Sequence, residues 1–523
     1  MLIPDVKDAN SGDEAWELPG RIWKDVLKSE LKRWIGMLIY MGVFSSCSTR
    51  DYWRKSSLWP DHPICEYMGL TRFQQILRYF HISDPLIQWE NSENDAWTYK
   101  VDPLIEAVRD TSSKYYTPQT NVSVDEAMIR FYGRSRDTFK MPNKPINEGY
   151  KAFCLADRSY IFDFRMVSRS EPTPGVEDIN NLSSTSSTVF SLAMSLPYKH
   201  KVFTIYMDNF FCNVPLFLKL RKFGIGACGT ARQNSSGFPE ELRVGKTLTG
   251  NQKLDYHFLT GTKVGATVGN GGVLAILWMD NTPVTMLTTV HNIHGSKSHV
   301  TTDRKRPRDT SSNAAGVRQL YGPNEFVKPL SIPTCIDDYN QFMGGIDIAD
   351  QYRSYYTTQL IARRNWLPIF FWLLDTALLN SFIIYREFFN FRVKDSCPFS
   401  HKEFNIEVAW SWILQGENDK EDKGLTISTS TEKNIYVKDW TSLPSAKSCS
   451  EGSHLPVAGK RGFCFWCWWK AKNSTKQGNS NNFPRSSFIC SSCNVVLYFS
   501  TEKVIALQHF IQYNNLITLE YDL

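Results

Sequence analysis

Apolar positions recur every three to four residues along the first third of the chain, the period of helices with one buried face. Residues 30–44 (ELKRWIGMLIYMGVF) fit it, with Ser29 placed to cap the helix. Residues 71–83 (TRFQQILRYFHIS) repeat the pattern, with Thr71 as the capping candidate. A third helix is expected over residues 97–116, where Pro103 fits only near the start or at a kink. Near Pro118 the pattern changes. Residues 122–133 (VSVDEAMIRFYG) alternate like a strand and end in a turn. Residues 151–167 are β-branched and aromatic around a turn at 157–159, which predicts a hairpin. A Ser-, Pro- and Asn-rich loop over 168–188 leads to a short helix (VFSLAMSL) and a strand over 200–208. A helix (VPLFLKLRKF) and another strand (IGACGTAR) follow, and this order predicts an α/β core.

From about Gln233 to Pro333 glycine is frequent and apolar runs are short, so a β-rich insertion is expected there. It carries a basic cluster, Arg304-Lys305-Arg306-Pro307-Arg308, which reads either as a nuclear localisation signal or as a solvated loop against a DNA backbone. After Ile332 the helical period returns. Residues 366–385 (WLPIFFWLLDTALLNSFIIY) are apolar enough for a membrane span, but Asp375 and Asn380 near the middle point to the buried helix of a large domain and to no membrane partner. Residues 416–433 are polar and read as a linker.

Composition narrows the picture. At 523 residues, 42% hydrophobic and 21% charged, the chain is neither fibrous nor wholly disordered. A net charge of +6 permits a nucleic-acid partner without demanding one. Residues 1–20 are acidic and polar, carry no secretory pattern and are expected to be disordered. Of the 12 cysteines, most are scattered singly, whereas Cys464, Cys467, Cys490 and Cys493 form two C-x-x-C knuckles. That distribution points to a reducing compartment and to a structural Zn²⁺ site rather than a disulfide scaffold. His454 and His509 are either ligands of a second site or ordinary histidines. Lys and Arg residues without any Asp or Glu surround the knuckles, alongside Trp466, Trp468 and Trp469. Such a module is either a DNA or chromatin reader or a basic surface over a small aromatic core.

Four acidic residues stand in special settings. Asp125 lies inside a predicted strand, Asp208 ends another, and Asp347 follows a glycine pair with Asp350 one helical turn on. Taken singly, each is as readily a cap or turn residue. Converging, such carboxylates hold two divalent ions, and hard oxygen ligands favour Mg²⁺ or Mn²⁺.

The ordered blocks resemble the piggyBac transposase family. SVDEAMIRFYGR looks like its first catalytic block, and KPINEGYK (144–151) like the KP-x-x-x-G-x-K block after it. YMDNFFCNVPLFLKLRKFGIGACGTAR is similar to the second-aspartate block, and YNQFMGGIDIADQY with ARRNWLPIFFWLLDTALLNSFIIY to the third. The likeness runs over roughly 23–385. It implies an RNase H-like catalytic core with a β-rich insertion, helical N-terminal and flanking DNA-binding or dimerisation elements, and a small C-terminal zinc module. In boundaries, this gives a disordered start (1–20), a helical region (21–119), core (120–235), insertion (236–330), the last part of the core (331–350), a second helical region (351–415), a linker (416–453) and the zinc module (454–523).

The resemblance also implies Asp125, Asp208 and Asp347 as catalytic metal-binding carboxylates, with Asp350 beside them. Lys151, Arg363, Arg364 and Trp366 become candidates for DNA contacts. The implied chemistry is metal-dependent nicking of a transposon end, hairpin formation by the freed 3′-hydroxyl, and joining at a TTAA target by a nuclear homodimer acting on double-stranded DNA. The C-terminal module departs from the family pattern, since no cysteine follows Cys493 where further ligands are usual. A non-catalytic nuclear DNA- or chromatin-binding protein that keeps the fold is therefore the competing reading.

Overall fold

The computed structural model describes residues 24–84, 97–389 apart from 143, 170–172, 245–256, 268–270, 281, 309–316 and 319, then 398–418 and strand segments at 456–463, 485–490 and 496–497. The N-terminal helices form where the period places them: α1 Lys28–Val43, α2 Leu70–Tyr79 and α3 Asp102–Tyr115, with Pro103 in the first turn of α3. The expected caps do not form. Leu27 and Gly69 precede α1 and α2 with no side-chain cap, Ser29 is buried inside α1, and Thr71 lies within α2. Packing of the apolar stripe sets these starts. On α1 it includes Gly36, where an added Cβ would come within 2.7 Å of the Ala409 carbonyl oxygen, so the last helix, α9 His401–Asn418, packs closely here.

The centre is a nine-stranded mixed sheet. Its strands are β1 Asn121–Arg130, β2 Phe139–Lys140, β3 Glu148–Asp157, β4 Tyr160–Val167, β5 Thr204–Met207, β6 Gly226–Thr230, β7 Leu259–Val264, β8 Val273–Met279 and β9 Pro283–Thr288. They run in the order β2-β3-β1-β5-β6-β9-β8-β7, with β4 on β3. β1, β5 and β6 are parallel neighbours, while β3 and β9 flank them antiparallel. The expected β3–β4 hairpin turns at the predicted place. Between them and β5, α4 Ser184–Met194 starts inside the segment read as loop, because Ser183 caps it by accepting the Ser186 N–H. α5 Val214–Lys222, capped by Asn213, links β5 to β6.

The segment expected to be a β-rich insertion is divided. β7, β8 and β9 extend the central sheet beyond β6, while β10 His299–Lys305 and β11 Val327–Pro333 form a separate two-stranded ribbon. A second core gathers Tyr206, Cys228, Ile276, Trp278, Met286 and Ile336. It seats α6 Thr334–Phe342, which leads into α7 Gly345–Tyr355. Near the C-terminus, β12 Pro456–Phe463, β13 Arg485–Cys490 and β14 Val496–Leu497 pair antiparallel.

The apolar helix α8 Leu367–Glu387 is long enough to cross a membrane, yet 83% of its most apolar window is buried within the fold. Its polar residues are core connectors. Asp375 accepts bonds from the Thr358 N–H (2.9 Å), the Thr358 hydroxyl (2.7 Å) and the Thr357 hydroxyl (2.8 Å). Asn380 accepts the Ile161 N–H at 3.0 Å and donates to the Ile161 carbonyl at 2.8 Å and the Ser112 hydroxyl at 3.0 Å. Asn380→Ala strips these partners from buried groups, which costs about 2–4 kcal/mol. A lowered thermal midpoint is the expected readout, and an unchanged midpoint would remove this connector from the account of the fold.

Candidate active site

Asp125 sits in the middle of β1, hydrogen-bonded between β3 and β5. Asp208 follows directly on β5, and the parallel register pairing Val124 with Met207 brings the two aspartates level on adjacent strands. Asp347 lies in the first turn of α7, with Asp350 one turn further. The helix reaches β1 because of Gly345. A Cβ there would stand 2.4 Å from the Arg158 carbonyl oxygen and 2.5 Å from the Ser123 hydroxyl, so only glycine permits the approach. Ile346 and Ala349 are fully buried beneath the helix, while Asp347 faces outward.

The surroundings set the charge states. Burial pushes the Asp125 carboxyl up to about 7; the Glu126 N–H, which donates to Asp125 Oδ1 at 2.7 Å, works against it, as does the Lys144 charge. Burial also raises Asp208, which is held by the Phe210 N–H at 2.8 Å. Asp350 is raised by burial as well, against the Arg353 guanidinium that it binds. One participant is not apparent from the sequence. Glu126, whose side chain is only 8% exposed, pairs with Lys144 at 3.4 Å, and its charge acts on both Asp125 and Asp208. Adjacent residues of a strand point to opposite faces, so nothing in the DE dipeptide announces this.

The donor set is all carboxylate oxygen, the chemistry that suits Mg²⁺ or Mn²⁺. The Lys144 ammonium already stands as a cation in the field of Asp125, Glu126 and Asp347. Among the described residues, no three acidic, His or Cys side chains form a ready ion cage. The site therefore fits a divalent cation in ligand type and charge, with the carboxylates apart and a lysine among them.

The DNA-contact candidates separate. Lys151, on β3, is buried, with its ammonium 5.1–5.8 Å from the ring centres of Phe139, Phe153 and Phe210, and burial lowers its pKa. It lies in the field of Asp125, Glu126 and Asp208. Arg363 is exposed. Arg364 donates to the carbonyls of Leu77 and, at 2.8 Å, of Phe80, closing the C-terminal end of α2. Trp366 is 8% exposed and packs on Phe80, with rings 5.9 Å apart. Cys464, Cys467 and Cys493 lie outside the described residues, and Cys490 is described only as the end of β13.

Asp125 carries a stability cost with a definite sign. Its folded pKa is near 7 against an ordinary 3.8, so above pH 7 the folded state holds a buried charge that the unfolded state hydrates. The cost is relieved as pH falls from 7 towards 4, because the folded state takes up the proton first. In metal-free buffer at pH 8, Asp125→Asn should raise the melting temperature by about 2–4 °C. The gain should shrink steadily towards pH 5.

The family model described as transposase IS4 matches residues 8–382. Human PiggyBac transposable element-derived protein 3 is 23% identical over 393 residues, covering 74% of this chain and 58% of that protein. Human PiggyBac transposable element-derived protein 2 is 24% identical over 369 residues, covering 68% and 55%. The chain thus spans little more than half the length of these curated relatives. Its fold is similar to that of a piggyBac transposase solved by cryo-EM as a synaptic complex with hairpin DNA, with a TM-score of 0.61 at 19% identity over 91% of this chain and 86% of that one. A transposase model that matches most of the chain, together with these piggyBac-derived relatives and the shared fold, shows that this chain belongs to the piggyBac transposase family.

Proposed function

We propose that the chain is a piggyBac-like DNA transposase with an RNase H-like core, catalysing metal-dependent strand cleavage and transfer at TTAA sites. One observation supports this reading: Asp125 and Asp208 stand level on the adjacent strands β1 and β5, and α7, which carries Asp347, approaches β1 at Gly345. Asp125, Asp208 and Asp347, with Asp350 beside them, would hold Mg²⁺ or Mn²⁺. When bound, such ions activate the attacking oxygen and stabilise the leaving one in an in-line displacement. The chain's own residues prepare that site. The Phe210 N–H orients Asp208, and Arg353 orients Asp350. Lys151, among aromatic rings beside the carboxylates, suits a phosphate near the cut. Arg363 suits a phosphate further along the duplex.

The synaptic DNA complex of the structural neighbour supports duplex DNA as the substrate. A homodimer, a nuclear location and a structural Zn²⁺ on Cys464, Cys467, Cys490 and Cys493 belong to the same proposal. Within the basic cluster, Arg304 is occupied by Asp280 at 2.5 Å and Arg306 by the carbonyls of Gly322 and Pro323, which leaves Lys305 and Arg308 exposed for import or DNA. The second reading, a non-catalytic DNA- or chromatin-binding protein, is favoured by one feature: Glu126 and Lys144 neutralise each other inside the site.

Excision from a plasmid donor carrying TTAA-flanked DNA from around the gene, in Mn²⁺, separates the two. The transposase reading expects excision by wild type and a loss of about 100-fold or more in Asp208→Asn. A folded protein that binds DNA and leaves the donor intact would favour the binder. The arginines give a separate test. Arg363→Ala should weaken duplex binding and lower its salt slope by about one ion, with the melting temperature unchanged. Arg364→Ala should lower the melting temperature by releasing the end of α2, and equal effects of both variants on stability would contradict these placements.

A further inference from the structure

Lys144 lies in a turn between β2 and β3, where its N–H donates to the Met141 carbonyl at 3.0 Å. Its side chain is 34% exposed and reaches inward to Glu126 Oε1 at 3.4 Å, whose own side chain is 8% exposed. Against the effect of burial, Asp125, Glu126 and Asp347 together strengthen its hold on its proton. Its charge is felt in return by Asp125, Asp208 and Asp350. All four carboxylates assigned to the metal, from three separate places in the chain, thus lie in the field of this one ammonium. Glu126 takes no part in the proposed coordination and has Lys144 as its ion-pair partner.

Carboxylates gathered in a partly buried pocket repel one another and pay for lost hydration unless a positive charge accompanies them. A divalent ion meets that need, and so does a tethered lysine. Both cannot occupy the same field at full strength, because like charges a few ångströms apart in such surroundings repel strongly. We propose that Lys144 is a displaceable internal counter-ion: held on Glu126, its ammonium neutralises the carboxylate site in the metal-free protein and must withdraw when a divalent cation binds. The inference rests on the reading of these carboxylates as the metal site and deepens it. The ion pair that favours a non-catalytic reading then becomes the resting state of a working site. The turn position and partial exposure of Lys144 give the side chain somewhere to go, since it can swing to solvent without disturbing β1.

The test is Mn²⁺ binding to the full-length protein, read as free Mn²⁺ by electron paramagnetic resonance, with no DNA present. Lys144→Met should bind Mn²⁺ about tenfold more tightly than wild type, because a competing charge has gone. Lys144→Gln should do the same, and Lys144→Arg, which keeps the charge, should stay within about twofold of wild type. Without metal, Lys144→Met should melt below wild type, and Mn²⁺ should raise its melting temperature by more. Unchanged or weaker Mn²⁺ binding in both Lys144→Met and Lys144→Gln would overturn the proposal. If that binding is still lost in Asp208→Asn, the metal site itself stands and only the counter-ion role fails. If neither wild type nor Lys144→Met binds Mn²⁺, the metal-site reading fails and takes this inference with it.

Discussion

The site depends on one close approach: the backbone of Gly345 lies directly against β1. Asp347 comes from a helix far along the chain from Asp125 and Asp208, and only a backbone without a Cβ reaches Ser123 and the Arg158 carbonyl. Both ends of this contact are anchored. On the near side, α6 is fixed to the sheet by Ile336 and Cys335 in the second core and by Asp338, which holds His291 at 2.9 Å. On the far side, Ile346 and Ala349 sink into the main core. The glycine pair therefore joins two packed bodies, and the carboxylate between them inherits their rigidity. A functional group carried by a loop would lack that support.

Within this frame, two buried aspartates show how surroundings decide a role. Asp375 on α8 is buried, but three donors from Thr357 and Thr358 satisfy it and its work is structural. Asp125 is buried too and receives one N–H, from its own neighbour, with Lys144 supplying charge from a distance. It has fewer donors than Asp375, in a place where Glu126 and Asp208 add repulsion. A fold keeps such a residue at a cost to stability, and the usual reason is that a ligand supplies what the protein withholds.

Much of this was readable from the chain. The helical period found α1, α2 and α3, and alternation found β1 and the β3–β4 hairpin, because both signals are local. Helix starts were misplaced, since Ser29 and Thr71 obey tertiary packing rather than capping preference. The segment that holds β7 to β9 reads as β-rich, but its union with the central sheet does not show, because backbone pairing between distant segments leaves no local mark. The aspartates stood out only through the order of their blocks, and Glu126 did not stand out, because its inward reach depends on where Lys144 lands. Arg364 and Trp366 read from the sequence as candidates for DNA contacts. In the fold, the arginine closes α2 and the tryptophan packs on Phe80, a relation between segments nearly three hundred positions apart.

The apolar run of α8 has the length and hydropathy of a membrane span for a reason of packing. α8 touches α3, β4, α7 and α9, so it must be apolar almost all round. Trp372 packs its edge against Phe164 on one side and lies under the Arg353 guanidinium, 5.0 Å from the ring centre, on another. Arg353 is the residue that holds Asp350. A continuous path of packed groups therefore runs from β4 through the second turn of α8 to the second turn of α7. The helix is buried because the sheet behind it and the acidic helix before it must both be held against one rigid surface. Two of its polar residues, Asp375 and Asn380, tie that surface to the segments on either side.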